Sequence, residues 1–401
     1  MIGERSEDAL EIIGVGVAPS TGMRKGIVVN VESTIRAVTE SIERAELMSG
    51  REVRDCWLSI GGNHIDGINS RGVVAVTGKN KENRVIGQED MKRVLESARA
   101  VVIPMDRQVL EVIPQSYVVD DQKGIRDPLD MIGVRLEAEV HIITCSVTSA
   151  QNLIKCVSRA GSGYTYKDLV LQSLAASRAV LTPEERELGV IVVDLGGGTT
   201  DILVFSEGVP FSTSTVPLGG GMITSDISKV KNISFETAEK LKIESGSCWE
   251  EEGEDDDEVI VPGVGGRPPL PIPRSQLVAI IRPRVEEMLR MVRDRVDRLS
   301  ISRPLGAGVV LTGGGSNLSG IAQLASTVFK MPVRVGAPLP VGGLVEEYRN
   351  PMYATAVGLV LEGNDREKRG ETEHIQTFDQ PGEEEKQSFI GKIGNWLKEF
   401  F

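Results

Sequence analysis

The chain has 401 residues, a formal net charge of −13, 40% hydrophobic and 26% charged residues. That length exceeds one ordinary core, so two or more domains are expected, with the composition of a soluble globular protein. The negative charge excludes a general nucleic-acid grip, which needs a basic face. No apolar run approaches the roughly 20 residues of a membrane-spanning helix.

Residues 10–18 and 26–31 have strand character, and Glu32 to Met48 has helical spacing. Trp57–Ile60 resumes strand character before Gly61-Gly62. No helix follows Gly14-Val15-Gly16, so these are strand-end glycines rather than a phosphate loop. Residues 61–140 form a separate block dense in Gly, Pro and Asp. Short strands (Gly72–Val76, Val109–Ile113, Tyr117–Val119, Val134–Ile143) surround one helix of about Gln88 to Ala100, as in an inserted α+β module. Solvated turns account for Asp120-Asp121 and Asp127–Asp130. Cys56, Cys145, Cys156 and Cys248 hold no CxxC pair, which suits a reduced cytosolic compartment. His64, His141 and His374 have no metal-ligand spacing and are expected as core or surface residues.

Helices are then predicted from Ser149 to Ala160 and from about Asp168 to Val180. The second contains the small-residue run Gln172–Ser177, either a hinge between halves or a plain packing face. Pro183 opens a linker into the central stretch, Ile191 to Phe205. There a β-branched run ends in Asp194, Gly196-Gly197-Gly198-Thr199-Thr200 follow, and a second apolar run begins. Three glycines let backbone N–H groups converge on an anion. In a P-loop or dinucleotide fold such a turn opens a helix. Here a second β-rich run follows, so the expectation is a phosphate-gripping hairpin. Asp194 would hold Mg²⁺ or its water, with Thr199 and Thr200 as donors. A glycine hairpin without ligand is the alternative.

Gly219-Gly220-Gly221 precede a predicted helix of about Phe235–Ser245, where Glu239 and Lys242 share one face as a site pair or a surface ion pair. Glu250–Glu258 is an acidic loop and Pro262 to Pro273 a Pro/Gly-rich one. A long helix from about Ser275 to Leu299 carries a basic face that could receive an acidic peptide or only balance the protein's own charge. Val309–Thr312 then runs into Gly313-Gly314-Gly315-Ser316 and a helical pattern, a strand–turn–helix start suited to a nucleoside or phosphate edge. Two glycine turns in one half of the chain favour a nucleotide cleft. Tyr353–Leu359 is a second small-residue helix, suiting a two-lobed clamp.

Residues from Glu362 to Lys386 are charged and expected to be disordered. In the last stretch Phe389, Ile390, Ile393, Trp396, Leu397, Phe400 and Phe401 fall on one helical face, opposite Lys392, Asn395, Lys398 and Glu399. That pattern describes a helix lying in a membrane surface, with docking on its own domain or a partner as the alternative. One such tail binds marginally and reversibly, so stable attachment implies many tails on one polymer.

VVDLGGGTTDILVF resembles the second phosphate motif of the actin, sugar-kinase and heat-shock chaperone superfamily, and VVLTGGGSNLSG its adenosine motif. Gln172–Ser177 and Ala354–Leu359 resemble its two connecting helices. EIIGVGVAPSTGMRKGIVVN, EVIPQSYVVD, GVRLEAEVHIIT, VGGRPP and the terminal amphipathic segment are similar to the FtsA family of bacterial cell-division proteins. The resemblance implies an α/β, actin-like two-lobed ATPase-type fold with an inserted α+β subdomain and a C-terminal amphipathic helix. Residues 1–60 and 141–186 would be subdomain 1A and 61–140 subdomain 1C. Residues 187–222 and 303–362 would be 2A, and 223–302 would be 2B. Residues 363–386 would be a linker and 387–401 the membrane-targeting helix.

The resemblance further implies ATP and Mg²⁺ in the cleft, with phosphates and adenosine on Gly196–Thr200 and Gly313–Ser316, supported by Gly219 and Gly220, and ribose at Glu239 and Lys242. It implies head-to-tail filaments on the cytoplasmic face of the inner membrane at the septum, an anionic lipid surface under the tail, later divisome membrane proteins as partners, and no enzymatic role beyond weak ATPase. The FtsZ C-terminal peptide would dock in 2B near Arg284 and Glu287. The superfamily begins with a strand and an Asp-x-Gly-Thr hairpin, and no such motif lies upstream of Leu10. The chain is therefore expected to start inside the second strand, at Met1–Arg5, leaving backbone groups unpaired, binding ATP poorly and folding badly. The rival readings are a small-molecule kinase or ATPase of the same superfamily, and a pilus-assembly relative sharing the core.

Overall fold

The computed structural model describes residues 1–6, 9–77, 84–161, 163–250, 257–262, 268–301 and 303–370. The expected terminal helix at 387–401, most of the linker, and most of the acidic run lie outside them.

The first lobe opens with β1 (Ile2–Arg5) and β2 (Leu10–Gly14), paired antiparallel, then a small hairpin of β3 (Met23–Arg24) and β4 (Ile27–Val28). Helix α1 (Val31–Ser49) starts where Asn30 accepts the Ser33 N–H and stops at Gly50, whose φ of 66° ends the helical path. It lies close on the end of β2 and the residues that follow: a Cβ on Gly14 would overlap the Ala45 carbonyl, and one on Gly16 the Ser41 carbonyl. Strand character thus ends at Gly14, short of the expected 18, and the stretch 26–31 is a hairpin arm followed by a cap. β5 (Asp55–Ile60) completes this part.

The inserted module follows, as β6 (Asp66–Ala75), α2 (Gln88–Arg99), β7 (Arg107–Val119), β8 (Gln122–Ile125) and β9 (Arg135–Ser146). Its sheet order is β6-β9-β7-β8, antiparallel throughout, and α2 covers one face through Met91, Val94, Leu95 and Ala98. The chain returns through α3 (Val147–Ser158) and β10 (Thr165–Leu171), which pairs parallel with β5. The helix expected from Asp168 therefore begins only at Gln172, as α4 (Gln172–Val180), because pairing with β5 draws Thr165–Leu171 into a strand. The expected linker at Pro183 is a short capped helix, α5 (Pro183–Leu188), in which Thr182 and Glu185 satisfy each other's backbone N–H groups.

The second lobe is built on a five-stranded sheet, order β13-β12-β11-β16-β17. Its strands are β11 (Val190–Leu195), β12 (Thr200–Ser206), β13 (Val209–Val216), β16 (Val309–Thr312) and β17 (Val333–Val335). Between them come α6 (Gly220–Lys231), α7 (Phe235–Ser245), the antiparallel pair β14 (Glu258–Val261) and β15 (Leu270–Pro273), α8 (Arg274–Asp297) and, after β16, α9 (Ile321–Phe329). The expected Pro262–Pro273 loop thus ends in a strand. β11, β12 and β16 are buried along their length, which is why they lack alternation.

The final helix, α10 (Ala354–Lys368), crosses α4 at van der Waals distance, since a Cβ on Gly358 would overlap the Ala175 carbonyl. It corrects the expectation of a disordered linker from Glu362: Arg366 is 5% exposed and anchored to Glu111, Asp168 and Glu362 while lying 5.6 Å above the Trp57 ring. A charged run becomes a folded helix there because its arginine is the centre of a buried ion cluster. The module is also tied to the second lobe. His141 on β9 bridges Asn69 (2.6 Å) and Thr213 of β13 (2.9 Å), and the Gln115 amide donates to the Pro210 and Phe211 carbonyls. These groups occupy the free edge of β13, which no further strand pairs among the described residues.

Candidate nucleotide site

The hairpin expected from Asp194 to Phe205 is present as strand, turn and strand. β11 and β12 pair antiparallel with Asp194 opposite Asp201, and the turn closes with the Gly196 N–H donating to the Thr199 carbonyl at 2.9 Å. The second glycine turn stands beside it because β11 and β16 are parallel neighbours in register, Asp194 against Thr312. Both turns therefore leave the sheet at the same end, the C-terminal ends of two parallel central strands. Gly313 has φ of 80°, and a Cβ there would overlap the Asp194 carboxylate. Gly314 to Asn317 is a single 3₁₀ turn in which Ser316 donates to the Gly313 carbonyl at 2.7 Å, so α9 starts four residues later than the glycines suggest.

The expected Gly219 and Gly220 join the site as the N-terminus of α6, a helix the sequence reading did not predict. The Gly220 and Gly221 N–H groups donate to the Gly196 and Gly197 carbonyls at 2.9 and 2.8 Å. Lys242 on α7 donates to both Glu239 oxygens (2.8 and 2.7 Å), to Thr224 (3.0 Å) and to the Gly220 carbonyl (3.4 Å). Gly219, Gly220, Glu239 and Lys242 therefore form one group against the first glycine turn. The flanks of that turn are tightly packed while its tip is open: a Cβ on Gly197 would meet nothing within 4 Å.

The two aspartates are the chemical centre. Asp194 is fully buried, and burial together with the negative Asp201 pushes its carboxyl up to about 6 against the help of the Gln172 amide (3.1 Å) and the Thr355 hydroxyl (3.4 Å). Asp201 is also raised by burial, opposed by the Thr215 hydroxyl (2.6 Å), the Thr199 hydroxyl (3.1 Å) and the Gly62 N–H. No lysine or arginine among the described residues pairs with either. Two buried oxygen donors without a cation fit a hard divalent ion. The Thr200 hydroxyl, expected as a phosphate donor, donates to the Leu218 carbonyl at 2.9 Å, and that of Thr199 is committed to Asp201. Backbone N–H groups are left as the turn's donors. Gln172 and Thr355 were missed as partners of Asp194; their only sequence signal is that each opens a small-residue helix.

A family model described as "Cell division protein FtsA" matches residues 191–358, and one described as "SHS2 domain inserted in FTSA" matches residues 62–144. The Cell division protein FtsA of Pseudomonas aeruginosa is 39% identical over 399 residues, spanning 99% of this chain and 94% of its own. The chain belongs to the FtsA family. The FtsA of Borreliella burgdorferi is 41% identical, spanning 98% of this chain and 94% of its own. Among solved structures, the PilM-PilN type IV pilus biogenesis complex aligns with a TM-score of 0.61 at 17% identity, over 90% of this chain and 94% of that one. That likeness concerns the fold alone, which is the actin-like one with an inserted module. The relatives of this FtsA-family chain are named for cell division, so neither the kinase nor the pilus-assembly reading is carried forward.

The remaining candidate residues lie between α6 and α8 of the second lobe. Asp226, Lys229 and Val230 of α6 and Ala279, Ile280, Pro283, Arg284 and Glu287 of α8 line a groove of ≈ 420 Å³. Arg284 grips Asp226 in a two-point pair (2.6 and 3.2 Å) and also pairs with Glu287. Pro283 has no N–H, so the carbonyl of Ala279, a residue that lines the groove, lacks its i+4 helical donor. The membrane-facing residues Phe389, Ile390, Lys392, Ile393, Trp396, Leu397, Lys398, Phe400 and Phe401 lie outside the described residues. Among the described residues no helix is long and apolar enough to cross a membrane.

Proposed function

We propose that this FtsA-family chain is an ATP- and Mg²⁺-binding structural protein that assembles into filaments on the inner-membrane surface at the septum, holds the FtsZ ring there, and recruits later division proteins. The observation that carries the nucleotide part is the pair of glycine turns at one end of two central strands, around a buried Asp194 that no lysine or arginine pairs among the described residues. Bound magnesium would supply the positive charge that Asp194 and Asp201 lack. Within Gly196–Thr200 and Gly313–Ser316 the N–H groups of Gly196, Gly313 and Ser316 are spent on the Thr199, Pro351 and Gly313 carbonyls, and the others would orient phosphates and adenosine, while Glu239 with Lys242 would take the ribose. Arg284, Glu287 and the Ala279 carbonyl, which lacks its i+4 donor, support the 2B groove as the seat of the FtsZ C-terminal peptide, whose backbone N–H groups could donate to that carbonyl. Attachment to anionic lipid is assigned to residues 387–401, and the subdomain boundaries drawn from the sequence belong to the same reading.

Calorimetric titration with Mg-ATP tests the cleft, and no heat at millimolar nucleotide refutes it. Co-sedimentation with anionic vesicles tests the tail. Lipid binding unchanged after deleting residues 387–401 refutes the tether. Fluorescence anisotropy with a labelled FtsZ C-terminal peptide tests the groove, and full affinity in Arg284→Ala refutes that assignment.

A further inference from the structure

We propose that Lys25, carried on the β3–β4 hairpin of the first lobe, is the cation that meets the phosphates held by the glycine turn of the second; this rests on the nucleotide reading above. The hairpin has a two-residue turn, Lys25-Gly26, with φ of 52° and 78°. Both residues are left-handed, as in a type I′ turn, whose first position normally holds Asn, Asp or Gly. A lysine there is out of character for the turn, so its side chain points to a role.

The placement supplies that role. A Cβ on Gly26 would lie 2.6 Å from Gly62 Cα, so the hairpin tip is seated on Gly61-Gly62. Gly62 in turn donates its N–H to Asp201 beside the phosphate turn. A Cβ on Gly198 would lie 3.0 Å from the Lys25 amide nitrogen and 3.2 Å from its Cα. The backbone of Lys25 therefore lies close against the third glycine of the turn, where a side chain would crowd it. Lys25 is half-buried and has no hydrogen-bond or ion-pair partner among the described residues. The site's other lysine, Lys242, is already neutralised by Glu239. A triphosphate would enter beside two buried carboxylates, a surplus of negative charge that one divalent ion does not cancel. Lys25 is an unpaired cation among the described residues, within one side-chain length of the turn, and it comes from the opposite lobe. Phosphate contact would thus draw the hairpin and the second lobe together.

Asparagine is the natural type I′ residue, so Lys25→Asn removes the charge while keeping the turn. The test is calorimetric titration of the full chain with Mg-ATP and, separately, with adenosine, alongside thermal unfolding. Lys25→Asn is expected to lose about tenfold in Mg-ATP affinity, equivalent to about 1.4 kcal/mol, with adenosine affinity unchanged and the unfolding midpoint equal or higher. Lys25→Arg is expected to retain affinity within about threefold. Unchanged Mg-ATP affinity in Lys25→Asn overturns the proposal while leaving the nucleotide reading intact. An equal loss toward adenosine, or an equal loss in Arg24→Asn on the exposed neighbouring residue, also overturns it. Absence of Mg-ATP binding by the native chain removes both readings together.

Discussion

Replacing Asp194 by Asn should stabilise the nucleotide-free protein while weakening its hold on a cation. In the folded chain burial and the neighbouring Asp201 push the Asp194 carboxyl from 3.8 to about 6. An acid whose folded pKa is raised is penalised once pH exceeds that value and carries no penalty below its unfolded pKa. The penalty therefore grows as pH climbs from about 4 to about 6 and is complete at neutral pH. A shift of about two units corresponds to about 3 kcal/mol, at 1.36 kcal/mol per unit. Asparagine keeps an oxygen that accepts from Gln172 and Thr355 and removes the charge. Urea unfolding in EDTA at pH 7.5 and at pH 4 should show the variant more stable by up to about 3 kcal/mol at the higher pH and equal to the native chain at the lower. Added Mg-ATP should reverse the order. A variant less stable than the native chain at pH 7.5 in EDTA would refute the electrostatic argument.

Gly358→Ala should cost about 3 kcal/mol or more, because the new methyl overlaps the Ala175 carbonyl in the α4–α10 crossing; lower soluble yield and an earlier thermal midpoint would show it. Arg366→Met should cost about 3–5 kcal/mol because Glu111, Asp168 and Glu362 lose the cation they share, measured by urea unfolding, and restoring a well-packed apolar set at all four positions should recover much of it. His141 is held neutral by burial, its pKa lowered to about 4, so its contribution is complete above pH 6.5 and is lost as pH falls toward 4. His141→Gln should flatten that acid-side loss in a pH series of unfolding midpoints, and a profile identical to the native one would contradict the assignment.

Much of the site was legible before any coordinates. The β11–β12 hairpin could be recognised because a β-branched run, three glycines and a second β-rich run are local features, and the buried strands needed no alternation. The β16 turn, α1, α2, α7 and α8 were legible for the same reason, since their periodicities and caps are contained within each segment. β10 was not: the helical spacing from Asp168 onward is genuine, yet pairing with β5, more than a hundred residues earlier, overrides it. α10 was cut short because a charged sequence says nothing of whether its arginine finds three carboxylates.

The sequence by itself determined the chemistry of the cleft: an aspartate before a glycine turn, a second glycine turn, and small-residue helices suited to close crossing. Only the tertiary structure decided who meets whom. Thr355 reaches Asp194 across 161 residues, and the Lys25 hairpin reaches Gly198 from the other lobe. Periodicity and turn chemistry act over a few residues, whereas burial, charge compensation and approach between lobes depend on which distant segments fold onto one another.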